Sequence, residues 1–245
     1  TADVASIGAS LRTLRHEGRD LVVPFDADEV RPGFRGAILA PWPNRVVDGR
    51  YTFDGREFEL ALTEPQRGHA LHGLAGWLDF AVVAQGEASV TLAAEIVPQT
   101  SYPWHLRVET TFRLGADGLT QTVRTRNVGV DAAPFGTGPH PYLVAGPAPL
   151  DEWTFELPAA RVLEVTPDRL APVALQDVAE HDPARFDWRA PRVLGPAQID
   201  HAYTGLDRGS DGVATVRLTD PSGTGVLMSW DAACPWVQVH TDGQP

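Results

Sequence analysis

The stretch LRVETTFRL (residues 106–114) places mostly apolar side chains at every second position and mostly charged ones between them. This alternation is typical of an antiparallel strand with one face on a core and the other in water. A short glycine-bearing loop (residues 115–118) separates it from a second alternating run that begins at Leu119. The pattern therefore predicts a β-hairpin.

The same signals recur along the chain. Strand-like runs flank Asp54-Gly55 and the DPSG segment at residues 220–223, which predicts two more hairpins. No helical spacing persists, and 21 prolines with 23 glycines interrupt most candidate helices. We therefore expect an all-β fold, a large antiparallel β-sandwich, in one domain over residues 1–245. Residues 159–196, richer in Pro, Asp and Ala, are predicted to form an irregular loop over the sheets.

The composition limits the classes of binding partner that we expect for this protein. The formal net charge of -12 repels phosphate backbones and anionic membranes, so we expect no nucleic acid and no membrane. The single cysteine, Cys234, cannot form an intrachain disulfide, and no apolar run is long enough for a membrane span. A cytoplasmic location fits both observations. Because the chain opens at Thr1 and its only methionine is Met228, terminal segments are expected to be trimmed from it.

Two histidine motifs are the candidates for acid–base catalysis: HALHG (residues 69–73) and GTGPHPY (residues 136–142). Imidazole has an ordinary pKa of about 6.5, so a pair of these groups suits proton transfer at neutral pH. His140 lies between two prolines, which restrict the backbone on both sides and fix the direction of the ring. The alternatives are a loop histidine bonded to backbone carbonyls and a rigid turn that the imidazole merely fills.

His69 and His72 also invite a metal interpretation. Closely spaced zinc ligands usually lie on a helix, whereas glycines bracket this pair and no thiolate pair accompanies it. We predict no metal. The sequence also contains no serine-hydrolase elbow or phosphate-binding glycine loop, and Cys234 lies in no recognised nucleophile context.

Three further segments offer planar polar groups beside aromatic rings: PWPNR (residues 41–45), DHAY (residues 200–203) and WVQVH (residues 236–240). Dense hydrogen bonding next to a flat apolar face suits a polyol. Gln238, flanked by valines, is expected to be a buried glutamine whose partners a ligand can supply. Alternatively, Arg45 is a surface residue and Asp200 makes a turn.

Taken together, five motifs resemble the aldose 1-epimerase (galactose mutarotase) family over nearly the whole chain, in the order typical of that family. They are APWPNR (residues 40–45), LHG (71–73), PHPY (139–142), DH (200–201) and QVHT (238–241). The resemblance implies a β-sandwich of the galactose mutarotase type with the sugar in an open cleft. It also implies interconversion of the α and β anomers of a neutral aldohexose without a metal or cofactor, in a monomer or homodimer.

By the same resemblance, His140 is the general acid that protonates the ring oxygen, and His72 is a second imidazole that bonds the sugar and positions that proton. The hydroxyls are expected to bind Asn44, Arg45, Asp200 and Gln238. We predict that these side chains converge on one cleft. The family's general base is a glutamate in a Glu-Pro motif beyond Gln238, whereas the last glutamate here is Glu180.

A protein that ends at Pro245 is therefore expected to bind sugar weakly and to be nearly inactive, while a longer product is active. Asp242 is the nearest substitute base within the chain. Two alternatives stay open. A hexose-6-phosphate 1-epimerase needs a basic rim, for which Arg31, Arg35 and Arg45 are candidates. A noncatalytic carbohydrate-binding or sensing module keeps the sugar site but lacks the base.

Overall fold

The computed structural model of the protein describes residues 1–241. Strands make up 48% of it and helices 5%, which confirms the all-β prediction. The chain forms two compact units, Thr1–Tyr142 and Leu143–Pro245, which are called here the first and second units. That residues 1–245 act as one domain stays a prediction.

The first unit consists of short strands with two 3-10 helices, Pro32–Phe34 and Ala75–Trp77. Its strands are β1 (Ala2–Ala5), β2 (Ser10–His16), β3 (Arg19–Asp20), β4 (Ile38–Leu39), β5 (Arg45–Val47), β6 (Arg50–Phe53), β7 (Arg56–Glu59), β8 (His69–Leu71), β9 (Ala81–Gly86), β10 (Ser89–Ile96), β11 (Leu106–Gly115), β12 (Gly118–Asn127) and β13 (Gly138–Pro139).

The largest sheet of this unit has the strand order β12-β11-β10-β9 and is antiparallel throughout. β11 contains the LRVETTFRL stretch, and its partners in β12 run from Leu106↔Asn127 to Gly115↔Gly118, so the predicted hairpin is confirmed. Leu106, Val108 and Phe112 are buried, while the charged residues Arg107, Glu109 and Arg113 are not, as the alternation requires.

The hairpin predicted at Asp54-Gly55 is also present, between β6 and β7. Both turn residues have positive φ, 49° at Asp54 and 71° at Gly55. Two consecutive left-handed residues give a turn whose twist matches that of the flanking strands, and aspartate followed by glycine is a favoured pair for it.

The second unit contains one short helix, α1 (Pro183–Phe186), and a 3-10 helix at Leu150–Glu152. Its strands are β14 (Thr154–Glu156), β15 (Ala159–Val165), β16 (Pro172–Asp177), β17 (Arg192–Val193), β18 (Asp200–Leu206), β19 (Ala214–Thr219), β20 (Gly225–Trp230) and β21 (Val237–His240). They form two four-stranded sheets, β17-β14-β19-β20 and β16-β15-β18-β21. The β19–β20 hairpin confirms the prediction made around the DPSG segment.

The prediction of an irregular loop over residues 159–196 was wrong. β15 and β16 pair there as a hairpin, and the segment that follows supplies Phe186 and Trp188 to the buried core of the unit. Two of the prolines that suggested a loop lie at the starts of elements: Pro172 begins β16 and Pro183 begins α1. A missing N–H is tolerated at such positions, so proline marks a boundary there and not the absence of structure.

Within residues 1–241, no helix is long and apolar enough to cross a membrane.

Candidate active site

The two histidine motifs of the first unit are joined through the segment that lies between β4 and β5. On one side, β4 pairs with β13, the Gly136 N–H donates to the Pro41 carbonyl at 2.7 Å, and the His140 N–H donates to the Ala37 carbonyl at 3.0 Å. Main-chain hydrogen bonds therefore fix the backbone that carries His140.

The other side of the same segment holds the second motif. β5 pairs with β8, the His72 N–H donates to the Asn44 carbonyl at 3.0 Å, and the Leu74 N–H donates to the Ala40 carbonyl at 2.7 Å. Motifs about seventy positions apart in sequence are thus brought together by backbone pairing with one intervening segment.

The rings of His72 and His140 lie 5.1 Å apart, centroid to centroid, with an interplanar angle of 75°. This edge-to-face contact brings together the two imidazoles that the sequence singled out. His72 Nδ1 lies 2.9 Å from the Pro43 carbonyl oxygen. Because a carbonyl only accepts, Nδ1 carries the proton, and Nε2 of the neutral ring is a hydrogen-bond acceptor.

The surroundings keep His72 neutral. Burial, followed by the nearby charge of His140, lowers the pKa of His72 to about 4 from an ordinary value of 6.5; Arg45 acts in the same direction. The hydrogen bond to Pro43 opposes this shift but does not cancel it. At neutral pH His72 therefore accepts a hydrogen bond and carries no charge.

The turn that presents His72 depends on the glycine that follows it. His72 has φ 64° and Gly73 has φ 71°, both left-handed. A Cβ added at Gly73 would lie 2.2 Å from the Ala40 carbonyl oxygen, so no other residue fits this close approach. The glycine in the LHG motif is thus explained by backbone packing.

Aromatic side chains border the imidazole pair. The Phe34 ring lies 4.9 Å from that of His72, Trp77 lies 5.6 Å from Phe34, and Tyr142 lies 5.5 Å from His140. Trp77 is 52% exposed, so part of its ring is open to solvent next to Phe34, while the Arg31 guanidinium lies 4.5 Å from the ring centroid. Sequence analysis missed Phe34 and Trp77, because neither belongs to a periodic pattern; Tyr142 lay within a quoted motif but received no role.

Asn44 and Arg45 belong to a polar network built on Glu64. Arg45 donates from Nε to Glu64 Oε2 at 2.8 Å and from Nη2 to Oε1 at 3.1 Å, while Nη1 lies 3.4 Å from Asn44 Oδ1. Arg67 Nη1 also donates to Glu64, at 2.7 Å. Burial alone would raise the pKa of Glu64, but the hydrogen bonds from both arginines outweigh it and hold that pKa below its ordinary value.

Asp200 and Gln238 meet in the second unit, on neighbouring strands. β18 pairs with β21, and Gln238 Nε2 donates to Asp200 Oδ1 at 2.7 Å. His240, directly opposite Asp200, places Nδ1 3.9 Å from the second carboxylate oxygen. The expectation of a buried Gln238 was wrong: its side chain is exposed, because the alternation of β21 turns Val237 and Val239 toward the core instead.

Each unit therefore gathers its own predicted site residues. The first holds Asn44, Arg45, His72 and His140, and the second holds Asp200 and Gln238. Their convergence on one cleft and their roles stay predictions. Asp242, the nearest substitute base, lies outside the described residues.

Two other sequence candidates have structural roles. Arg31 is only 6% exposed, and its guanidinium donates to the Ile7 and Gly76 carbonyls and to Ser10 Oγ. It cannot contribute to a basic rim.

His69 is fully buried on β8. Across residues 1–241, no cluster of three or more His, Cys, Asp or Glu side chains is arranged to hold a metal ion; that the site needs none stays a prediction.

A β-rich chain that brings two imidazoles into contact has groups suited to acid–base chemistry. The chain belongs to the aldose 1-epimerase family, whose family model matches residues 1–245.

Among curated relatives, the uncharacterized protein YihR of Escherichia coli (strain K12) is 32% identical over 241 residues, which cover 98% of this chain and 75% of YihR. The galactose mutarotase of Rattus norvegicus is 26% identical over 218 residues, covering 84% of this chain and 62% of the rat protein. The activity stated for the rat protein belongs to a longer and more distant relative.

Solved structures agree on the fold. The GalM/aldose epimerase homologue from C. elegans superposes with a TM-score of 0.77 at 19% identity, covering 91% of this chain and 72% of that one. A galactose mutarotase-like protein from Clostridium acetobutylicum gives a TM-score of 0.84 at 14% identity, covering 98% and 78%. These comparisons confirm the prediction of a galactose mutarotase-type fold.

Proposed function

We propose that the protein is an aldose 1-epimerase that interconverts the α and β anomers of a neutral aldohexose. The observation that carries this proposal is the pair of imidazoles, His72 and His140, with ring centroids 5.1 Å apart in a chain of the aldose 1-epimerase family. The environment of His72 makes that ring a poor proton donor, and the proposal assigns proton donation to His140.

The reaction opens the sugar ring by moving two protons. A carboxylate base, for which Asp242 is the candidate nearest in sequence to Gln238, takes the proton of the anomeric hydroxyl while the ring oxygen gains a proton from an imidazole, which yields a free aldehyde. Rotation about C1–C2 then presents the other carbonyl face for reclosure. His72 is neutral at neutral pH with its Nδ1 proton committed to Pro43, so it is a poor acid. His140 is therefore the donor to the ring oxygen, and His72 accepts a hydrogen bond that orients the reacting groups. Positioned proton transfer of this kind contributes about 10²–10⁴-fold.

Binding falls to the polar side chains of both units. Asn44 and Arg45 in the first unit, with Asp200 and Gln238 in the second, offer amide, guanidinium and carboxylate groups to sugar hydroxyls. The exposed face of Trp77, in contact with Phe34, suits the apolar C–H face of a pyranose. None of these contacts calls for a metal or a cofactor.

An uncharged substrate is favoured over a hexose 6-phosphate. Of the three arginines that could form a basic rim, Arg31 is buried and bonded to backbone carbonyls, and Arg45 is paired through two nitrogens with Glu64. Arg35 lies over the Tyr142 ring, 5.3 Å from its centroid. A phosphate dianion would need several converging donors, and this arrangement offers few.

The proposal also covers the partners of the protein, its oligomeric state and its location. The sugar is a small-molecule partner, the chain acts as a monomer or homodimer in the cytoplasm, and the net charge of -12 disfavours nucleic acids and anionic membranes.

Polarimetry tests the function. Freshly dissolved α-anomers of a panel of aldohexoses are followed with residues 1–245 and with a longer product, and acceleration above the spontaneous rate is expected for the longer product with at least one neutral sugar. Acceleration of hexose 6-phosphates alone would establish the phosphate-specific alternative. Binding without acceleration of any sugar would instead establish a carbohydrate-binding or sensing module.

A further inference from the structure

Glu64 is the most buried acidic group of the polar network in the first unit. Its side chain is 4% exposed, against 14% for Arg45 and 36% for Arg67, the two arginines it joins. Three charge-assisted hydrogen bonds of 2.7–3.1 Å reach its two oxygens. Because the arginines occupy both oxygens, the simplest route by which Glu64 influences a ligand is through these partners.

The Arg45–Glu64 contact is bidentate, and this geometry restricts the orientation of the guanidinium group. Two parallel N–H···O bonds fix the plane of the guanidinium as well as its position, which a single contact does not. The same guanidinium reaches Asn44 Oδ1 through Nη1 at 3.4 Å. Glu64 thus fixes the Arg45 guanidinium, which in turn contacts the Asn44 side chain.

The main chain of Glu64 adds a second link to the site. Its N–H donates to the His69 carbonyl at 3.0 Å, and its carbonyl accepts from the Gly68 N–H at 2.9 Å, closing the loop that enters β8. β8 leads directly to His72 and pairs with β5, which begins at Arg45. One residue therefore ties the arginine to the strand that presents the imidazole.

Resting on the proposed function, we infer that Glu64 is a positioning residue for the sugar site: it holds the Arg45 guanidinium in the orientation that binds substrate hydroxyls. Its contribution is to binding and not to proton transfer, which belongs to the imidazoles. A contact made equally in the ground state and the transition state changes KM and leaves kcat nearly constant.

Glu64→Gln tests this assignment, because it keeps the side-chain shape but replaces one acceptor oxygen with a donor amide. The expected result is a rise in KM of about 10-fold for the neutral aldose that the protein converts, with kcat changed less than about 3-fold. Glu59→Gln is the matched control: Glu59 pairs with Arg50 at 3.8 Å with both side chains 72% exposed, and its loss should change neither constant.

A double-mutant cycle separates positioning from general damage. Arg45→Lys keeps the charge but cannot form the bidentate pair, so it should raise KM to a similar extent. If Glu64 acts through Arg45, the double variant should cost no more than the worse single variant. Additive losses would overturn the assignment, as would a Glu64→Gln variant with reduced kcat and unchanged KM. An unchanged KM and kcat would overturn it too.

The wild-type protein keeps this test distinct from that of the proposed function. If wild type converts a neutral aldose and Glu64→Gln has the same KM, the inference fails while the function stands. If wild type converts none but binds one by calorimetry, the function fails, and the same variants are compared by Kd with the same expected 10-fold change. A wild-type protein that neither converts nor binds a neutral aldose overturns both.

Discussion

The imidazole site of the first unit and the Asp200–Gln238 pair of the second are built in different ways. His72 and His140 lie on loop segments that backbone hydrogen bonds hold against residues between β4 and β5. Asp200 and Gln238 lie on two regular paired strands, with Gln238 exposed to solvent. In the first arrangement, burial and neighbouring groups lower the pKa of His72. In the second, the paired strands hold Asp200 and Gln238 next to each other, with Gln238 exposed to solvent.

This difference indicates which residues take part in proton transfer and which contribute to binding. A partly buried imidazole loses its affinity for protons, as His72 does, and a neighbouring ring can then take a distinct role. The half-buried Asp200 carboxylate and the exposed Gln238 amide offer hydrogen-bonding groups to a ligand. Substitutions of the imidazoles should therefore change the rate constant, and substitutions at Asp200 should change affinity.

The largest effect is expected at His140. His140→Asn keeps a hydrogen-bonding group but removes the proton donor, so kcat should fall by about 10²–10⁴-fold while KM changes far less. Mutarotation kinetics with the sugar that wild type converts provide the measurement. His16→Asn, at a histidine whose side chain is 70% exposed, serves as the control. A His140→Asn variant that turns over at the wild-type rate would show that the acid is misassigned.

Asp200 should give the opposite pattern. Asp200→Ala removes the acceptor for Gln238 and one for a sugar hydroxyl, so KM should rise about 10-fold with kcat nearly unchanged. Asp207→Ala, an exposed aspartate just beyond the end of the same strand, should leave both constants at the wild-type values. A fall in kcat at constant KM would contradict the separation of proton transfer by the imidazoles from binding by Asp200.

Acid should destabilise the protein through His72. Its folded-state pKa of about 4 lies below the ordinary 6.5, so between these pH values the unfolded chain binds a proton that the folded chain does not. This contribution to stability is complete above pH 6.5 and is lost as pH falls toward 4, by about 2 kcal/mol at pH 5.

His72→Asn checks that contribution, because asparagine tolerates the left-handed backbone of this position. Urea unfolding at pH 7 and pH 5 should show wild type losing about 2 kcal/mol more than the variant. Equal losses would mean that His72 titrates alike in the folded and unfolded chains.

Chelation should have no effect. Proton transfer between imidazoles and a sugar needs no Lewis acid, so dialysis against EDTA should leave the mutarotation rate within error of the untreated protein. Loss of activity that a divalent metal restores would place a metal in the mechanism.

Sequence patterns predict local structure in this protein better than they predict contacts between residues that are far apart in the sequence. The β11–β12 hairpin follows from the alternation in residues 106–114, because one buried face fixes a period of two. The proximity of the His72 and His140 rings does not, since it depends on a third segment that pairs with both motifs. Likewise Glu64 meets Arg45 across 19 positions, with no periodic signal to join them.

The central claim is that the paired imidazoles are unequal, with His72 neutral so that His140 is the proton donor. Nitrogen-15 NMR of the imidazoles through a pH titration tests it most directly, with His72→Asn used to assign the resonances. The account predicts that His72 keeps the neutral form with its proton on Nδ1 from pH 7 down to about pH 5. A His72 ring that gains its second proton near pH 6.5 would contradict it.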